Sequence, residues 1–219
     1  MAKHLLRGLE KLKREILLVG SLVESATNRA LIALNERRVD LADEVIAGDQ
    51  TVDEREIEVE EDCLEFLALH QPVASDLRYV VTVLKVNNDL ERVGDLAGNI
   101  AARAKDLIEI SPPVEIPTEI RHMGDQVQGM LRKCLDALVQ KDTRLAREVI
   151  REDEAVDQQH KEVYDLVQAR MDRNPERINS EVQLLSVSRY LERIADLATN
   201  IAEDVIFAVD GDVVRHRSW

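Results

Sequence analysis

The chain has 219 residues, 45% apolar and only 3% aromatic, enough to bury a core as one large or two small domains. Its 43 acidic side chains outnumber 29 basic ones, and the formal charge of −14 repels phosphate backbones and anionic lipid. Nucleic acid is thereby excluded as an expected partner.

The first stretch, MAKHLLRGLEKLKREILLVG, starts basic, but charges interrupt each apolar run before it reaches signal-peptide or membrane-span length. It reads as an ordinary helix start, with no direct membrane insertion expected. Leu, Ala, Glu, Arg, Val and Ile dominate the rest, with 8 Gly and 5 Pro, the composition of an all-α protein of long helices. Breaks near Val39 to Asp40, at Gln71 to Val73, at Ser111 to Pro117, near Lys141 and at Arg173 to Pro175 predict six helices. At the second break Pro72 favours a helix start, and Ser75 and Asp76 supply acceptors that complement a helix N-terminus. Cys63 and Cys134 show neither CxxC nor zinc spacing and read as small buried hydrophobes, which points to a reducing cytoplasm.

The segment SPPVEIP holds three of the five prolines and reads as a linker between halves. It separates a first three-helix bundle, residues 1–111, from a second, residues 117–210. A short tail, residues 211–219, carries Arg215, His216 and Trp219, and disorder is its default.

The halves repeat each other. NDLERVGDLAGNIA, Asn88 to Ala101, returns as RYLERIADLATNIA, Arg189 to Ala202. Leu90, Val93, Ala97, Ile100, Ala104 and Leu107 step by three and four, and each has an apolar counterpart 101 positions later, beginning at Leu191. Upstream, LADEVIAGDQTVD from Leu41 matches LAREVIREDEAVD from Leu145 at an offset of 104. Long helices, short connections and duplicated heptad seams predict two tandem three-helix bundles, packed at roughly 20°.

Each copy carries two acidic pairs at helical spacing: Asp49 and Asp53 with Glu91 and Asp95, then Asp153 and Asp157 with Glu192 and Asp196. Members four apart share a face, about 6 Å apart along the axis. Residues 53 and 91 are equidistant from Pro72, as are 49 and 95, so an antiparallel hairpin sets each pair level. In the second copy 157 with 192, and 153 with 196, centre between Asn174 and Pro175. Clustered carboxylates repel, and cations relieve that repulsion. All-oxygen ligation, aided by the amides of Asn99 and Asn200, suits hard ions such as magnesium, calcium, manganese or ferric iron.

Two other readings fit the same residues. Glu91, Asp95 and Asn99 fall on the outward side of the seam, where charge serves solubility, and Arg92, Arg193, Arg55 and Lys161 are available as surface ion-pair partners, which would make the chain a metal-free helical scaffold. A carboxylate-bridged di-iron oxidoreductase would need paired Glu-x-x-His motifs. The only ExxH here, Glu119 to His122, is unpaired, and Asp157 to His160 has Glu56 where its repeat would need His. GxSxG and P-loop motifs are missing too, so no enzyme is expected.

LHQPVASDLR (Leu69 to Arg78), NDLERVGDLAGNIA, YLERIADLATNIAED (Tyr190 to Asp204) and GDVVRH (Gly211 to His216) together resemble the PhoU family of phosphate-specific transport system accessory proteins. The resemblance implies a cytoplasmic, commonly homodimeric regulator of two three-helix bundles with multinuclear metal sites on their surfaces. It places the family's E(D)xxxD motifs on Asp49/Asp53, Glu91/Asp95, Asp153/Asp157 and Glu192/Asp196, with iron, manganese, magnesium or zinc as the ion. The implied function is to lower phosphate uptake and hold phosphate-starvation signalling off, through contacts with the phosphate ABC transporter's ATPase and a sensor histidine kinase. One departure concerns the ligands: many relatives have His after the motif aspartate, whereas this chain has Leu96 and Leu197.

Overall fold

A computed structural model describes residues 2–111 and 113–214, so the expectations placed on Arg215, His216 and Trp219 lie outside the described residues. The chain forms six long helices: α1 (Ala2–Glu36), α2 (Val39–His70), α3 (Ala74–Glu109), α4 (Thr118–Gln140), α5 (Thr143–Arg173) and α6 (Ile178–Asp210). A single 3-10 turn, Pro175–Arg177, precedes α6. No strand occurs among the described residues.

Each helix forms because its apolar residues recur at three and four. Leu12, Ile16, Val19, Val23, Ala30 and Leu34 make the buried stripe of α1, and Leu90, Val93, Ala97, Ile100 and Ala104 that of α3. By length and composition α1 also passes for a membrane span, contrary to the sequence expectation, but that stripe lies in the core against α2 and α3. The α1 to α2 turn falls two residues earlier than expected, at Arg37 and Arg38. Arg37 adopts a left-handed φ of 57°, and the same cap recurs 104 positions later at Lys141, φ 55°. In both, the next N–H reaches back over the last turn: Arg38 to the Ala33 carbonyl and Asp142 to the Ala137 carbonyl, each at 3.0 Å. Asp142 then caps α5 by accepting from the Arg144 and Leu145 amides at 2.9 and 3.1 Å. At the α2 to α3 turn, Gln71 takes φ 44° and Val73 is the N-cap, without a side-chain cap. Ser75 and Asp76 therefore lie inside the first turn of α3, where Asp76 complements the dipole without capping the end.

Helices α1 to α3 form one bundle and α4 to α6 the other, but the halves do not stand apart. α3 lies along α6 and α1 meets α4, and one continuous cluster of buried side chains runs through both bundles. The seam has local twofold symmetry. A Cβ on Gly20 would stand 2.8 Å from Leu135, and one on Gly124 would stand 2.9 Å from Leu31. Gly20 and Gly124 are 104 apart, as are Leu31 and Leu135, so each half inserts the same leucine into the other's glycine notch. Beside them Arg132 donates to Glu24 at 2.9 Å and Gln128 to Asn28 at 2.8 Å, again a reciprocal pair of positions. Between α3 and α6 the Thr82 hydroxyl donates to the Asp204 carbonyl and Arg103 to Gln183, relating 82 with 183 and 103 with 204. A self-complementary patch of this kind is what a closed twofold dimer uses, here within one chain.

Candidate functional site

The α2 to α3 hairpin brings Asp49 and Asp53 against Glu91 and Asp95. Burial, then the charges of Asp95 and Asp53, push the Asp49 carboxyl above its ordinary value. Burial and the same two charges, with Glu56, push Glu91 up, and only Arg92 opposes them. The α5 to α6 hairpin repeats the arrangement more tightly. Asp153 is pushed up to about 6, by burial first, then by Asp196, Asp157 and Glu192, while the Thr199 hydroxyl favours its charged form. Asp196 is raised by burial and by Glu192 and Asp157. In physical terms burial first and like charge second favour the protonated acids, while Arg92 opposes the shift of Glu91 and Arg193 that of Asp196.

Ion pairing does not relieve these clusters. None of the eight carboxylates has a Lys or Arg nitrogen within 4.0 Å among the described residues; Arg55, weighed as a neutralising partner, binds Glu58 at 2.7 Å. The buried Oδ1 of Asp153 has no hydrogen-bond partner. Donor type and charge thus fit a hard cation at the second cluster, and the first offers the same acids in a more open setting. Among the described residues, however, no three His, Cys, Asp or Glu side chains are grouped so as to hold one ion. His160 is committed elsewhere: its Nδ1 lies 3.0 Å from the Ser188 hydroxyl, at the position where the first half has the Asn87 amide donating to the Glu56 carbonyl.

Asn99 and Asn200, one turn beyond Asp95 and Asp196, open onto a cavity of about 270 Å³ between α3 and α6. Arg92, Asp95, Leu96 and Asn99 line one wall, and Arg193, Asp196, Leu197 and Asn200 the other. Every residue has its counterpart 101 positions on, so the cavity lies on the local twofold relating the repeats. Reading the halves as separate bundles missed this shared feature. Its signal was Leu96 and Leu197, which lie off the heptad seam, beside the motif aspartates, and are nevertheless buried.

A protein-family model described as the PhoU domain matches the chain twice, over residues 16–104 and 120–205. The chain belongs to the PhoU family. It is 39% identical over 208 residues to a Pseudomonas putida protein named phosphate-specific transport system accessory protein PhoU homolog, covering 95% of this chain and 81% of the relative. An Aquifex aeolicus protein of the same name is 38% identical, covering 97% of this chain and 96% of the relative. The crystal structure of PhoU from Pseudomonas aeruginosa superposes with a TM-score of 0.91 at 37% identity, covering 94% of this chain and 99% of that one. The two PhoU-domain matches each contain one pair of acidic motifs, and the proline-rich linker lies between them.

Proposed function

We propose that this chain is a non-enzymatic accessory regulator of phosphate transport, acting through cation-braced helical surfaces. The observation that carries the reading is the doubled PhoU domain across most of the chain, together with relatives named as phosphate-specific transport system accessory proteins. In its fuller form the regulator is cytoplasmic and homodimeric, contacts the phosphate ABC transporter's ATPase and a sensor histidine kinase, and lowers both uptake and starvation signalling when phosphate is plentiful.

Iron, manganese, magnesium or zinc would be held by Asp49, Asp53, Glu91 and Asp95 with Asn99, and by Asp153, Asp157, Glu192 and Asp196 with Asn200. The unpaired Asp153 Oδ1 and the mutual repulsion of these acids support that assignment. Side-chain rotation has to gather them first, since they do not converge on one point as they stand. A bound cation supplies positive charge that replaces like-charge repulsion with shared ligation. Asp49 and Asp53 on α2 would then be tied to Glu91 and Asp95 on α3, and α5 to α6 in the same way. Fixing those angles sets the shape of the surface offered to a partner, and occupancy alters affinity if partner binding differs between the two states.

The test is genetic and biochemical together. Deleting the gene is expected to derepress phosphate-starvation genes in phosphate-rich medium, and the wild-type chain to restore repression. Unchanged repression after deletion refutes the regulatory role. Restoration by an Asp95→Asn, Asp196→Asn variant that binds no metal refutes the cation requirement alone.

A further inference from the structure

We propose that the corner between the first turns of α1 and α3 and the last turns of α4 and α6 is a docking site for an extended segment of a partner protein that carries aliphatic residues two positions apart. The site needs none of the cations considered above.

The local twofold makes two equivalent corners, one at each end of the molecule. With α1 and α4 related by 104 positions and α3 and α6 by 101, Tyr79, Leu138, Lys141 and Ala208 in this corner answer to Ser180, Leu34, Arg37 and Leu107 in the other. That other corner is closed. Leu107 and Ser180 are 1% and 2% exposed, and Arg37 donates to the Ile108 carbonyl at 2.8 Å, tying the end of α1 to α3. Residues 113–117 of the linker, outside any helix, cross this end between α3 and α4, with Val114 and Ile116 buried in the core and Pro113 and Glu115 exposed. Alternation of this kind is the period of extended chain. Arg170 holds the segment by donating to the Glu115 carbonyl at 3.3 Å.

The matching corner is open. It holds a cavity of about 390 Å³, within the range of ligand sites. Ala208 and Tyr79 are partly exposed there, and the Lys141 ammonium lies 5.4 Å from the centre of the Tyr79 ring. Val209 and Leu6, at 37% and 62%, are exposed beside them. The cause is a difference in where the helices begin: α4 starts at Thr118, the counterpart of Arg14, whereas α1 starts at Ala2. Helix therefore runs here where the linker runs opposite. A helix keeps its side chains about its own axis, so Leu6 and Leu9 line the cavity without filling it. Nor does the sequence after α6 repeat the plug, since it offers Arg215 and Arg217 at the positions of Val114 and Ile116. The linker thus shows what such a corner accepts: an extended backbone with two aliphatic side chains on one face. Tyr79, whose phenol burial pushes up to about 12, stays a neutral donor for a carbonyl of that backbone.

The probe is the linker sequence itself, a fluorescently labelled SPPVEIP peptide, titrated with the full chain and followed by anisotropy. Saturable binding is expected, because the resident linker, being tethered, outcompetes the peptide at the closed corner and leaves the open one free. Binding should be lost for a peptide with Val114→Asp and Ile116→Asp, and weakened at least about tenfold for a chain with Ala208→Phe, which fills the cavity, or Leu6→Glu, which places a charge at its wall. Circular dichroism and Tm check that each variant folds, and Leu6→Glu, at an exposed position, carries the test if Ala208→Phe does not. The inference is overturned if no saturable binding is seen, if the aspartate peptide binds equally, or if Leu6→Glu leaves affinity unchanged. Much tighter binding by a chain ending at Val214 overturns it in favour of residues 215–219 as the occupant. A wild-type dimer that Leu6→Glu turns into a monomer overturns it in favour of a second copy.

Discussion

Asp153 and Asp196 face each other across the α5 to α6 groove, and with burial this pairing holds the Asp153 proton up to about pH 6. A carboxyl whose folded value exceeds its unfolded value favours the folded state most below the unfolded value, and the advantage is lost as pH rises through the folded one. The metal-free chain should therefore lose stability from this group between about pH 4 and pH 6 and regain none above it. Asp153→Asn removes the penalty. It is expected to stabilise the metal-free protein at pH 8 by about 1 kcal/mol after allowance for solvent screening, about 2–4 °C in Tm, and by much less at pH 4. Thermal unfolding at the two pH values after chelation measures this, and an equal gain at both would show that charge is not the cause.

How much of this was visible in the residues follows from what helical periodicity encodes. The seam of Leu90, Val93 and Ala97 predicts its own burial because steps of three and four select one face of a helix. Distance from Pro72 sets Asp49 level with Asp95 because rise per residue is constant, and the charge of Asp95 does reach the Asp49 carboxyl. Level gives no azimuth, however, so the arithmetic was silent on the second face of α3, where Leu96 and Asn99 meet α6. The left-handed caps at Arg37 and Lys141 were equally hidden: glycine usually marks such a cap, and neither position has one. A shared core between the halves was not legible from either seam taken alone, because each seam is complete within its own bundle.

Cation binding predicts a different stability change. An ion that binds only the folded chain stabilises it by about 2.7 kcal/mol at a free concentration one hundred times its Kd. Manganese or iron should raise the Tm of the chelated wild type, and the combined Asp95→Asn, Asp196→Asn variant should show both a smaller rise and lower metal content by elemental analysis. These two acids are chosen because each belongs to its cluster and also lines the cavity on the axis. Equal metal content in variant and wild type would remove the assignment.

Arg170 supplies a third case, far from the cation question. Its Nε lies 3.1 Å from Oε1 of Glu181, whose side chain is only 2% exposed. Burial raises the Glu181 carboxyl, and Arg170 and Arg177 hold it down. Arg170→Ala leaves that carboxylate buried with less compensation and should cost about 3 kcal/mol, at the lower end for a broken buried pair because Arg170 is partly exposed. Removing the arginine also lets the carboxyl rise further, so the loss should be smaller at pH 4.5 than at pH 8. Adding Glu181→Gln should recover much of the stability. Chemical denaturation of the single and double variants checks the set, and a loss independent of pH would mean that packing, not charge, is at stake.

The reciprocal notches give the sharpest test of the local twofold. Gly20 receives Leu135, and Gly124 receives Leu31, at distances where even a methyl group must displace the leucine tip. Alanine is expected to be tolerated at either place, because a leucine terminus moves cheaply and alanine is the better helix former by about 1 kcal/mol. Valine is not: its branched side chain drives into the facing leucine, and overpacking of this kind costs about 1–3 kcal/mol. If the halves pack as related copies, Gly20→Val and Gly124→Val should destabilise by similar amounts, and shortening the opposing leucine should relieve each one selectively. Leu135→Ala should compensate Gly20→Val but not Gly124→Val, and Leu31→Ala the reverse. Urea midpoints for the four double variants read out the pairing directly, and relief in the crossed combinations would mean that the glycines do not face those leucines.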